Sequence, residues 1–422
     1  MQRKKPNILL VTSHDTGCHF GCYGNTSVAT PNIDRLAGEG VLFTGNFSTA
    51  PLCSPSRGSI TTGKYPCSSG LMGLVNCGWD MPERTVSLPS YLKNGGYETC
   101  LFGFQHERQD PVKSGYEHIV GCGLPLYRDV ADSFITYLGN LPEGKPFFAS
   151  LGFFETHLPF DSPAYQPDKP GEVFLPAYLR DNPATRLEMA RFHGLVKDVD
   201  FNTGRIMEAL KEKGLEEETL FIQTTDHGIP FPRAKSTLYD PGIKTAFIMK
   251  WPGGLPRGRV CGELVSNVDI LPTLLEIAGL PVPEDIQGKS LLPFLSGERN
   301  VHREEIFAQK DWHNEYDPVR CIRTPDYKYI LNFEKGPALK LPSDVAKSLA
   351  ARSLPEEYRG QRQPEELYEL KSDPGEFRNL AEDPSFGEIK RVLRQKLYGI
   401  MEDAGDKLAY LTDVRKYWKH LK

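Results

Sequence analysis

The 422-residue sequence predicts an α/β fold: a mostly parallel central sheet sandwiched by helices, followed by a smaller antiparallel α+β subdomain. Three observations predict it. Short apolar runs alternate with longer amphipathic stretches up to about residue 280, the pattern of strands joined by helical crossovers. After about residue 300 the pattern changes to a hairpin, a third short strand and one closing helix. Polar residues also recur directly behind the apolar runs, where open α/β sheets place their ligands. The expected division is residues 1–300 for the α/β unit and 301–422 for the antiparallel one.

Asn7 to Thr12 is an apolar run behind Pro6 and reads as a buried strand ending in Ser13, His14 and Asp15. Thr30-Pro31 opens a helix, and Val41 to Phe43 is a second strand. Next comes Cys53-Ser54-Pro55-Ser56-Arg57, running on to Thr62-Gly63. Pro55 suits a first helical turn, where its missing N–H costs nothing, and Ser54 suits the N-cap. Cys53 then faces any anion held at the positive end of the helix dipole, with Arg57 one turn on along the same face. Ser87 to Gly96 is a helix closed by glycine. Tyr97 to Phe102 is a strand leading to His106, and Phe147 to Phe153 is another leading to His157. Residues 184–213 form a long helix with an apolar face, Thr219 to Thr225 a strand leading to Asp226 and His227, and Asp269 to Ala278 a helix. Val319 to Thr324 and Tyr327 to Asn332 form the hairpin, Leu367 to Leu370 the third strand, and Glu388 to Ala404 the closing helix. Residues 335–365 are polar and proline-rich and read as a loop or lid.

Composition excludes several classes. The net charge of −5 offers no general attraction for nucleic acid, so an anionic ligand needs a local cluster of positive groups. No apolar run reaches the length of a membrane span, so no membrane partner is expected. The basic opening Met1 to Pro6 is followed by an apolar run, Ile8 to Val11, too short for a signal core. As written, the chain is expected in the cytoplasm, or in the periplasm or medium if a signal has been removed. The nine cysteines are scattered, and only Cys18 and Cys22 approach a metal-knuckle spacing. A reducing compartment is expected.

His14, Asp15, His106, His157, Asp226 and His227 all follow strands. One such histidine means little, but several on one sheet edge beside Cys53 form a candidate active site. The stretch Cys53-Ser54-Pro55-Ser56-Arg57 with Thr62-Gly63 resembles the signature of the type I sulfatases, members of the alkaline phosphatase superfamily. The resemblance runs on through Pro6 to Asp15, Thr224 to Gly228, Thr156 to Pro159, Ala234 to Tyr239 and Leu367 to Leu380. It implies an alkaline-phosphatase-like sheet and Cα-formylglycine at position 53, made by a formylglycine-generating enzyme. It implies a divalent cation on Asp15, Asp226, His227 and residue 53. Calcium is the family's usual ion. His14 stands where the family has the first of two adjacent aspartates, and Asp15 matches the second; if His14 ligates, manganese or zinc gains ground.

The same resemblance assigns Arg57, Lys235 and His157 to the sulfuryl oxygens, His157 or Lys235 to protonation of the leaving atom, and His106 to the residue-53 hydroxyl. Phe104 replaces a lysine of the family pattern, with Arg108 or His14 as nearby compensating charges. Glu218 to Pro232, Ser69 to Leu74 and His313 to Arg320 resemble the branch that desulfates N-sulfoglucosamine in heparan degradation. A sulfated carbohydrate is therefore the expected partner, with Trp79, His313, Arg320 and also Trp312 as candidate sugar contacts. Other readings are a 6-O- or 2-O-sulfatase, a phosphodiesterase or phosphonate monoester hydrolase, and a non-catalytic glycan-binding relative.

Overall fold

The structure, a computed structural model, describes residues 5–122, 130–141, 144–160, 165–411 and 413–416. The basic opening from Met1 to Lys4 lies outside the described residues. In chain order the strands are β1 (Asn7–Ser13), β2 (Val41–Phe43), β3 (Asn46–Phe47), β4 (Glu98–Gly103), β5 (His118–Val120), β6 (Phe147–Gly152), β7 (Thr219–Thr225), β8 (Phe247–Lys250), β9 (Arg259–Cys261), β10 (Val265–Ser266), β11 (Ile306–Trp312), β12 (Tyr316–Arg323), β13 (Tyr327–Asn332) and β14 (Glu365–Glu369).

The large sheet has eight strands in the order β5-β4-β6-β1-β7-β8-β2-β9. Pairing is parallel from β5 through β7, and again between β2 and β9. β8 alone runs against its two neighbours. Helices cover both faces. Leu9 and Val11 of β1 pack into one core with the Pro31–Glu39, Val130–Gly139 and Pro183–Glu212 helices. Ile8 and Leu10 pack into the other with the Leu88–Asn94 and Ile270–Ile277 helices. Alternate side chains of one strand thus serve opposite layers, which is why β1 and β7 read as unbroken apolar runs.

The smaller sheet is antiparallel, in the order β11-β12-β13-β14. The Gly387–Asp403 helix closes it, setting Leu393, Leu397 and Met401 against Phe307, Ile322, Tyr329 and Leu331. Most elements fall within a residue or two of the sequence reading. The reading missed β3, β5, β8, β9, β10 and β11 and, among the longer helices, Val130–Gly139. One local expectation is corrected. The Cys53–Thr62 helix begins at Cys53, with Leu52 in the N-cap position. The Ser54 hydroxyl instead accepts the Val75 N–H at 3.1 Å and ties the following loop to the helix. The nine cysteines are free, and among the described residues no helix is long and apolar enough to cross a membrane.

Candidate active site

Because β4, β6, β1 and β7 are adjacent and parallel, their carboxyl ends lie on one edge. There the strands give way to the segments carrying His106, His157, His14 with Asp15, and Asp226 with His227. Two backbone features aim the last two segments. Asp15 adopts a left-handed conformation (φ 57°), which aspartate tolerates better than most residues, and its N–H donates to Asp226 Oδ1 at 2.8 Å. Gly228 lets the chain pass close to its neighbour, since a Cβ there would lie 1.8 Å from the Pro241 carbonyl oxygen.

His14, Asp15, Cys53, Asp226 and His227 each turn one donor atom into a single buried cluster, all within 4.8 Å of one another. Asp15 Oδ1 lies 2.7 Å from His14 Nδ1 and 3.0 Å from His227 Nε2. Cys53 Sγ lies 3.3 Å from His227 Nε2 and 3.9 Å from Asp15 Oδ1. The His227 Nδ1–H donates to the Gly228 carbonyl at 3.0 Å, so Nε2 is the ring nitrogen that faces the cluster; burial disfavours charge on this imidazole, but Asp15 and Asp226 outweigh it and raise it well above its usual value. A backbone carbonyl on the far ring nitrogen is how metal-binding histidines are usually oriented. Two carboxylates, two imidazoles and a sulfur converging within 4.8 Å fit a divalent cation, which would take the place of the protons the imidazoles share with Asp15.

Positive charge rings this cluster. Arg57 Nε donates to Asp226 Oδ2 at 3.0 Å, and its guanidinium lies 4.9 Å from the centre of the Phe104 ring. Lys235 Nζ donates to Asp15 Oδ2 at 2.5 Å and to Asp344 Oδ2 at 2.7 Å. His157 packs edge-on to His14 at 4.6 Å, with Nε2 3.5 Å from Asp344 Oδ2. Burial disfavours charge on His14, but Cys53, Asp15 and Asp226 outweigh it and raise the imidazole to about 9. Burial likewise opposes the Cys53 thiolate, yet His14 and Lys235 hold the thiol well below its usual range. Asp15 is held well below the carboxylate range, chiefly by Lys235 and His14 against the cost of burial. Burial and then Lys235 push His157 down to about 4, so it is neutral at pH 7.

The structure therefore gathers eight sequence-predicted residues: His14, Asp15, Cys53, Arg57, His157, Asp226, His227 and Lys235. His106 stands beside them, its ring 5.2 Å from Phe104 and its Nδ1 buried without a hydrogen-bond partner. His313 is on the rim, where burial and the field of Lys235 lower its imidazole. The Trp79 ring lies 6.1 Å from that of Trp312, which packs at a tilt on Tyr316 at 5.0 Å. Two expectations are corrected. Arg320 is buried, and all five of its N–H groups are taken by Asp406, Asp311 and the carbonyls of Lys310 and Val319, so it offers nothing to a sugar. Arg108 is also buried, with its guanidinium on the carbonyls of Met81, Pro82 and Thr85, so it does not replace the missing lysine. The sequence reading missed Asp344. Nothing local marks it, because it reaches the site from the segment read as a lid.

The sheet topology, with a buried thiol at a helix N-terminus over a cation-ready cluster, defines an α/β protein with a candidate hydrolytic site at its sheet edge. The family comparison narrows this. The sulfatase family model matches residues 6–280, and the model described as N-sulphoglucosamine sulphohydrolase, C-terminal, matches residues 231–343. The chain is 30% identical to an ulvan-active sulfatase of Formosa agariphila, over 96% of this chain and 82% of that protein. It is 27% identical to human N-sulphoglucosamine sulphohydrolase, over 94% and 90%. The fold superposes on BT4656, solved in complex with its substrate D-glucosamine-2-N,6-O-disulfate, with a TM-score of 0.78 at 20% identity over 96% and 99% of the two chains. It superposes on the phosphonate monoester hydrolase of Agrobacterium radiobacter with a TM-score of 0.77 at 22% identity over 94% and 96%. The chain belongs to the sulfatase family, and is a sulfuric ester hydrolase.

Proposed function

We propose that this sulfatase acts on a sulfated sugar and that its substrate carries N-sulfoglucosamine at the scissile end. The observation that carries this reading is the match of the N-sulphoglucosamine sulphohydrolase C-terminal model over residues 231–343, which span Lys235 and His313. A second reading, an O-sulfatase of a polysaccharide, is favoured by the ulvan-active relative at 30% identity. Free sulfate release separates them, with N-sulfoglucosamine, glucosamine 6-sulfate and ulvan oligosaccharides offered side by side. Release from the first alone supports the sulfamidase reading, and release only from the O-sulfated substrates overturns it. A phosphonate ester in the same panel tests the phosphohydrolase alternative. We also assign residues 1–300 to a catalytic domain and 301–422 to a C-terminal subdomain, on the change of sheet between β10 and β11.

In this reading Cys53 is converted by a formylglycine-generating enzyme, and the hydrated aldehyde supplies an oxygen nucleophile at the helix N-terminus. Asp15, Asp226, His227 and His14 hold a divalent cation, which would lower the pKa of that hydroxyl. Calcium is the family's usual ion, and two imidazoles in the donor set bring manganese or zinc into competition. Metal analysis of the purified protein decides among them. Arg57 and Lys235 place fixed positive charge beside the sulfuryl oxygens as their charge grows. His157 is neutral before substrate arrives, with its Nδ1–H on the Leu158 carbonyl. A bound sulfuryl group beside it raises its pKa, so Nε2 can take up a proton and deliver it to the departing nitrogen or oxygen. His106, with its unpartnered Nδ1, accepts a proton from residue 53 in the second half of the reaction.

A further inference from the structure

A second pocket opens beside the active site, across Asp344. It has a volume of about 540 Å³, within the range of small-molecule sites. Its apolar wall is Leu158 and Phe160, immediately beyond His157. Its charged wall holds Arg191 from the long helix, and Lys347 and Arg352 from the segment that carries Asp344. None of these three cations makes an ion pair among the described residues.

The two acids in the wall are already engaged. Glu188 accepts the N–H groups of Leu349 and Ala350, at 2.8 and 2.7 Å. Asp344 Oδ2 holds Lys235. Glu188 still faces Arg191 with its charge, so three cations stand against two carboxylates and the wall is net positive, on a chain whose net charge is −5. In a concave wall such charge attracts an anion rather than forming an ordinary solvated face. Between the two pockets, Asp344 Oδ1 is buried without a hydrogen-bond partner. A hydroxyl or amine of a ligand lying across it would supply the missing donor.

We propose that this pocket binds a second anionic group of the sulfated carbohydrate, so that the preferred substrate is polyanionic and lies across Asp344 with one sulfate at Cys53 and another anion among Arg191, Lys347 and Arg352. The inference rests on the sulfated-sugar reading and deepens it. The second anion is either a uronate carboxylate or another sulfate, and both offer oxygens matched to guanidinium donors.

The test is binding to the metal-loaded chain carrying Cys53→Ala, which holds substrate without turning it over. The three ligands are N-sulfoglucosamine, a disaccharide adding one uronate carboxylate, and glucosamine bearing a second sulfate. At least one of the dianionic ligands is expected to bind tenfold or more tightly than the first. Arg191→Gln with Arg352→Gln should erase that gain and flatten its dependence on salt. The ligand that shows the gain identifies the second anion. Equal affinity for all three ligands, or a gain that survives the double substitution, overturns the proposal. As a check against altered folding, the ratio of kcat/KM for the dianionic and monoanionic substrates is measured with Cys53 intact, and should fall about tenfold in the double variant. Failure of the sulfated-sugar reading is seen separately, as no sulfate release from any of these sugars by the unsubstituted, formylglycine-bearing enzyme.

Discussion

The edge of the large sheet and the back of the small sheet are both buried and both rich in charge, yet they handle charge in opposite ways. In the small sheet signs alternate. Lys310 sits on Asp317 at 2.5 Å, Arg362 binds the other oxygen of Asp317, and Arg320 lies between Asp311 and Asp406. Lys328 bridges Asp240 and Glu376 at 2.5 and 2.7 Å. At the sheet edge, atoms able to ligate a metal converge on one point instead. His227 Nε2 faces Asp15 Oδ1 and Cys53 Sγ, with the His14 nitrogen close by. An alternating network is complete in itself, whereas a converging one is completed by a cation. Burial and charge alone therefore do not mark a site; the arrangement of donors and acceptors does.

The largest expected effect comes from the nucleophile. Cys53→Ala should lower sulfate release by at least about a thousandfold, the scale of losing a nucleophile, while melting moves little. Retained turnover by this variant, measured beside a formylglycine-bearing unsubstituted control, would sink the assignment of the edge as the chemical centre. Arg320→Met tests the other side. It leaves Asp311 and Asp406 buried without their cation, which should cost about 3–5 kcal/mol of stability. Turnover per folded molecule should persist. A drop in kcat with unchanged melting would mean that the two regions are not separate.

The misreading of Arg320 shows what sequence could convey. The parallel sheet was legible because β1 and β7 are apolar without a break. The cluster was legible because His14, Asp15, Asp226 and His227 interrupt that apolarity where the strands end. Arg320 has one partner nine residues away and another eighty-six away, and nothing in its neighbourhood names Asp406. Asp344 was missed for the same reason, since its partner Lys235 lies 109 residues earlier. β8 is four residues long and β2 three, so neither carries enough pattern to reveal that β8 runs antiparallel. Spatial charge pairing and the direction of short strands are properties of the folded chain.

Cation dependence separates the two regions next. A divalent ion at a hundred times its Kd should stabilise the folded chain by about 2.7 kcal/mol. Asp15→Asn should remove most of that gain, and Arg320→Met should leave it intact. If chelation does not lower the melting temperature, convergence at the edge does not signify metal.

Acid should weaken the alternating network first through its carboxylates. Lys310, then Arg362, hold Asp317 below the usual carboxylate range against the cost of burial, and Arg303 does the same for Asp269. A depressed folded pKa contributes stability that is present above the unfolded value of about 4 and is lost as pH falls below it. Asp317→Asn should therefore be destabilising at pH 7, and its gap from the unsubstituted chain should narrow between about pH 4 and pH 2 in denaturant melts. A gap constant with pH would mean that Asp317 is protonated when buried.

The smallest effect concerns the exposed aromatic rings of the rim. Trp312 is 37% exposed and Tyr316 39%; the two pack on each other, and Trp312 also neighbours Trp79. Gly73 makes room for the Trp79 indole, whose Nε1 would lie 2.3 Å from a Cβ there. If these rings form a sugar platform, Trp312→Ala should raise KM by roughly five- to tenfold, equivalent to about 1–1.5 kcal/mol, with kcat and melting nearly unchanged. Adding Trp79→Ala should do less than double the penalty, because the two rings are neighbours and a platform already broken has little left to lose. If the rings are packing alone, melting falls instead and KM does not move.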